Sequence, residues 1–93
     1  MKVNVNAYSM AVLSDVFKKK KEIQVEMSGS TLRDLVQILN QKYGRPLQKA
    51  LLDEEGRVSW DVRIIKNMEE FLGDDRMNST LKEGDTLYFM VCG

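Results

Sequence analysis

Gly84-Asp85-Thr86-Leu87-Tyr88-Phe89-Met90-Val91-Cys92-Gly93 closes the sequence and decides how the rest is read. Gly-Asp marks a turn, and the Thr, Tyr, Phe and Val that follow favour a pleated, packed strand. No other segment is as apolar, which predicts a strand in the middle of a sheet rather than at its edge. The main-chain carboxylate of Gly93 would then stand just outside the fold, held out by a strand that cannot easily shift. Thr86, Tyr88 and Met90 would face outward along one stripe, a candidate interface or plain sheet surface.

Working back from that stretch, Met1, Val3, Val5 and Ala7 alternate with Lys2, Asn4, Asn6 and Tyr8, a period of two that predicts a first strand with one buried face. Residues 9–21 are less regular: Leu13, Val16 and Phe17 fit one helical turn capped by Ser9 or Ser14. Residues 22–27 alternate again, with Ile23, Val25 and Met27 inward, and antiparallel pairing with the first strand is the simplest arrangement. Leu32, Leu35, Val36, Leu39 and Tyr43 then follow helical spacing. Thr31 is a good N-cap, Asp34 makes a capping box with Asp in place of Glu, and Gly44 and Pro46 end the helix. Leu47, Ala50 and Leu51 suggest a further helical turn. Asp53-Glu54-Glu55-Gly56 is a polar turn, and Val58, Trp60 and 62–65 continue as strand, with Trp60 packing. Phe71 and Leu72 form either an edge plug or part of an exposed patch.

The order β-β-α-β-(β)-β, with a single main helix on one face, requires the first and last strands to pair at the centre, parallel, across a helical crossover. That is an α+β fold of the β-grasp, ubiquitin-like type, a mixed four- to five-stranded sheet in one domain over residues 1–93.

The composition narrows the chemistry. Ninety-three residues with 43% hydrophobic and 30% charged content fit an ordinary globular protein. Fourteen basic and fourteen acidic residues cancel, so no global field draws nucleic acid or a membrane surface. Lys18-Lys19-Lys20-Lys21 is the exception: a solvated loop, or a docking patch for an acidic partner. No histidine and one cysteine exclude imidazole bases, His-containing zinc sites and CxxC chemistry. The three carboxylates of 53–55 do not converge as a metal site should, so no metal is expected. A lone cysteine, with no signal-like or membrane-length apolar run, suits the cytoplasm. A self-sufficient enzyme is not expected.

Several short pieces, in order and at suitable spacing, resemble the MoaD/ThiS family of ubiquitin-like sulfur carriers. They are residues 1–5, Ser30-Thr31-Leu32-Arg33-Asp34-Leu35, residues 51–57, Ile64-Ile65-Lys66-Asn67, Thr80-Leu81-Lys82-Glu83-Gly84-Asp85 and the final glycine. The length and the Asp-Glu-Glu-Gly insertion are more similar to the molybdopterin synthase small subunit than to the shorter thiamine branch. The resemblance implies that an E1-like adenylating enzyme uses ATP to activate the carboxylate of Gly93. The thiocarboxylate then formed would donate sulfur in molybdopterin biosynthesis, docked on a larger synthase subunit through Tyr88, Met90, Val91, Cys92 and Phe71. A terminal glycine suits this chemistry because it has no side chain to block a narrow channel. The carrier holds no cofactor of its own. Cys92 stands where the family has glycine; it is a strand-finishing residue, a neutral replacement, or a reactive thiol. This ending keeps open a second reading, a non-catalytic β-grasp interaction or assembly module.

Overall fold

The computed structural model describes residues 1–73 and 75–91. Its elements are β1 (Lys2–Asn6), α1 (Ala11–Val16), β2 (Glu22–Glu26), α2 (Leu32–Tyr43), α3 (Arg45–Leu51), β3 (Val62–Lys66), β4 (Glu70–Phe71) and β5 (Thr86–Val91), with a 3-10 turn at Arg76–Asn78 before β5. The sheet order is β2-β1-β5-β3-β4. β5 is central and runs parallel to β1, while the other pairs are antiparallel. This is the expected β-grasp sheet, and the most apolar strand lies at its middle because both its edges and one face are covered.

The alternation in each strand becomes one apolar face. Val3, Val5, Val25, Val62, Ile64, Leu87 and Phe89 are buried together with Leu32, Leu35, Val36 and Leu39 of α2. Thr31 caps α2 as its sequence suggests: its Oγ1 accepts from the Asp34 amide at 3.3 Å, and Asp34 Oδ2 accepts from the Ser30 and Thr31 amides at 3.0 and 3.1 Å. Those amide hydrogen bonds hold the Asp34 carboxyl below its ordinary pKa. Gly29 must be glycine, because a β-carbon there would collide with the Asp34 carboxylate.

Two expectations are corrected. Neither Ser9 nor Ser14 caps α1; Met10 occupies that position without a side-chain cap, and Ser14 lies inside the helix, its hydroxyl donating to the Lys20 carbonyl. Trp60 does not pack. Strand β3 begins only at Val62, the Val62 amide closes a turn onto the Ser59 carbonyl, and the indole is swung out to 89% exposure. Val58 fills the core place instead. Helices α1 and α3 also add to the cover beside α2, sending Leu13, Leu47 and Leu51 into the same core.

Candidate functional site

Among the described residues no helix covers the other face of the sheet, whose residues are the outward set of each strand. Strand register builds a row across all five strands: Glu22, Asn6, Tyr88, Ile65 and Phe71 lie side by side. Met90 stands beside Arg63 in the neighbouring row. Tyr8 follows β1 on the outward parity and sets its ring edge-on to Tyr88, centroids 6.2 Å apart and planes at 83°. Lys21 places its ammonium 5.6 Å from the Tyr8 ring. Tyr88, Met90 and Ile65 are half-buried, and Phe71 is 65% exposed. The result is an apolar patch of Tyr8, Tyr88, Ile65, Met90 and Phe71 with a polar margin.

The residues singled out from the sequence thus separate. Tyr88, Met90 and Phe71 fall on one patch. The Phe71-Leu72 pair splits, since successive strand residues point to opposite faces: Phe71 goes outward and Leu72 plugs the core. Val91 has the inward parity of Leu87 and Phe89 but extends past the core and is 48% exposed. Cys92 and Gly93, with the roles read onto them, lie outside the described residues.

The last residues of β5 are held less firmly than the first. Thr86, Leu87 and Tyr88 pair with β1, whereas pairing with β3 continues alone as far as Val91, opposite Val62. The start of β5 is also clamped by side chains. Asp85, itself buried, accepts from the Lys82 amide at 2.8 Å and from Asn67 Nδ2 at 2.9 Å, and Asn67 Oδ1 accepts from the Thr86 amide at 2.8 Å. Two pieces of the family resemblance, the ones ending in Asn67 and Asp85, therefore meet in space and aim β5. That contact spans distant parts of the sequence, and only folding reveals it.

At the start of β3, on the side of β4 rather than β5, lies a concavity of about 400 Å³, lined by Trp60, Arg63, Phe71, Arg57 and Arg76 among others. Arg76 spends its guanidinium on the carbonyls of Val62, Val58 and Ser59, the last two at 3.0 and 2.6 Å. Burial, and then the neighbouring Arg63 charge, lower its pKa. Its role is to lock the turn that carries Trp60. Tyr8, Ile65 and Arg63 also lie on the outward face of the sheet, and the sequence singles out none of them as interface candidates; for Tyr8, the outward parity of the first strand is the available signal.

Asp53 is satisfied locally, its Oδ1 accepting from the Glu55 and Arg57 amides at 2.9 and 3.0 Å. No group of three or more potential metal ligands converges among the described residues. No described helix is long and apolar enough to cross a membrane.

Solved structures share this architecture along almost their whole length. SAMP1 from Haloferax volcanii superposes with a TM-score of 0.77 at 16% identity, covering 100% of this chain and 97% of that one. The fold is theirs. CysO from Mycobacterium tuberculosis, an antigen, gives 0.75 at 21% identity with 98% and 99% covered. CysO in the Amycolatopsis orientalis BexX/CysO complex gives 0.74 at 20%, with 98% and 96% covered. No family model and no curated protein matches the sequence.

Proposed function

We propose that this β-grasp chain is a sulfur carrier that works by presenting its C-terminal carboxylate to partner enzymes. The observation that carries the reading is the central β5, clamped at its start by Asn67 and Asp85 and delivering its last residues at the sheet margin, in a fold shared end to end with SAMP1 and CysO. An E1-like enzyme would adenylate Gly93 with ATP, which turns a poor electrophile into an acyl group with a good leaving group. Sulfide from a donor would then displace AMP and leave a thiocarboxylate. Tyr88, Met90, Phe71 and Val91 would form the docking surface for that enzyme and for the larger subunit that takes the sulfur. One neighbour is named a small archaeal modifier protein and a CysO is solved with BexX, both in keeping with a protein that acts through partners. The pterin acceptor, as in molybdopterin synthase, rests on the sequence resemblance alone.

The test is intact-mass spectrometry of the chain after incubation with an E1-like enzyme, ATP and a sulfur donor. The reading expects one terminal oxygen replaced by sulfur, lost when Gly93 is deleted. A second reading, the assembly module without carrier chemistry, draws on the pairing of β5 with β3 right up to Val91, which restrains the end of the strand. Tight partner binding with no mass change selects it.

A further inference from the structure

We propose that the groove between the lysine loop, β2 and the end of α2 binds an extended acidic peptide segment of a partner protein, which adds to the sheet as a strand beside β2. The inference is independent of the carrier reading and uses none of its residues.

The loop first. Lys18 and Lys19 have φ of 59° and 67°, the left-handed region where a β-carbon is unfavourable and Gly or Asn is the usual occupant. Two lysines hold it instead, so these positions trade stability for charge. The conformation is well fixed: the Lys18, Lys19 and Lys20 amides donate to the Asp15, Ser14 and Phe17 carbonyls at 3.0, 2.8 and 3.2 Å. In a chain with no net charge, Lys18, Lys19 and Lys20 are thus presented from one rigid turn.

The groove beside it measures about 370 Å³. Lys18 and Lys20 line it from the loop and Lys42 from the last turn of α2, while Phe17, Ile23 and Tyr43 give it an apolar floor. The Phe17 and Tyr43 rings lie 5.3 Å apart at 51°. Glu22 is the one acid in the lining, and its carboxylate accepts from Asn6 Nδ2 at 3.0 Å. None of Lys18, Lys20 and Lys42 forms an ion pair among the described residues.

β2 supplies the third feature. It is the edge of the sheet and pairs with β1 alone. Met27 bonds Met1, and Ala7 bonds Lys21, which puts the hydrogen-bonded pairs at the odd positions of that ladder. The main-chain groups of Glu22, Gln24 and Glu26 therefore point away from β1, a free template for another strand. An acidic extended peptide meets all three features: its backbone pairs at Gln24, its carboxylates reach the lysines, and an apolar side chain covers Phe17 and Tyr43. Nucleic acid fits less well, because it offers no main chain to the open edge.

The test is an NMR titration of the isotope-labelled chain with a short capped peptide that has glutamate, valine and glutamate at alternate positions and threonine between them, so that one face carries both the acids and the apolar side chain. It is run against a control with lysine in place of glutamate and a single-stranded oligonucleotide. The expected result is shifts confined to residues 17–24 and 42–43, with binding weakened by salt. A Lys18→Gly/Lys20→Ser variant should weaken it about tenfold while Tm holds or rises, and Lys42→Gln, on an exposed helix face, should weaken it by a smaller factor in the same direction. No binding, shifts elsewhere, equal binding of the control peptide, tighter binding of the oligonucleotide, or full affinity in Lys42→Gln would each overturn the proposal.

Discussion

Leu87 and Phe89 point from β5 into the core and are fully buried, whereas Tyr88 and Met90, each one position further along, look out from the helix-free face and stay half-exposed. The two pairs share a backbone, a register and neighbouring strands. They differ in what covers them: three helices on one side and, among the described residues, no helix on the other, where Tyr8 sets its ring edge-on to Tyr88. A strand fixed by one face can therefore offer the other face, and its own end, without losing its position.

The sharpest way to break that comparison is to truncate each face in turn. Phe89→Ala should cost about 3–5 kcal/mol in urea unfolding, since it empties a fully buried ring site. Tyr88→Ala should cost less than half as much, because its ring is only partly enclosed. Equal costs would mean that both faces are structural. In the turn that leads into β3, Arg76→Met removes the donors to three carbonyls and should cost about 2 kcal/mol. The same change should broaden the amide signals of residues 58–62.

On the covered side, Thr31→Ala removes the α2 cap and should cost about 1 kcal/mol. The companion Asp34 has a lowered pKa, so its contribution is present above its unfolded-state value and fades as pH falls through the folded one. Stability measured from neutral to acid pH should decline less steeply in Asp34→Asn than in the parent. The smallest effect has the opposite sign. Asn67 and Met68 have φ of 56° and 58° in the tight turn from β3 to β4, and Met68→Gly should stabilise the chain by up to about 1 kcal/mol by relieving the left-handed strain.

What was legible in the sequence was periodic. β1, β2 and α2 follow from apolar spacing of two or 3.6 residues, and the central place of β5 follows from its being the most apolar run. What was hidden was non-local or too short for a period. Trp60 resembled a core residue until the Ser59–Val62 turn displaced it. The split of Phe71 from Leu72 depends on a strand of two residues, which carries no repeat. The Asn67–Asp85 bond and the Tyr8–Tyr88 contact join residues far apart in the chain, and Arg76 binds carbonyls that no pattern announces. The outward stripe could be read along β5; the width of the apolar patch across the sheet could not.

The most direct test of the central claim, that the helix-free face of β5 is what partners grip, is ATP–pyrophosphate exchange by an E1-like enzyme given the parent chain or its Tyr88→Ala/Met90→Ala variant. The account predicts exchange reduced by more than about tenfold, as for loss of a central aromatic anchor, with the variant still folded by its NMR spectrum. Exchange at the parental rate from that folded variant would contradict it.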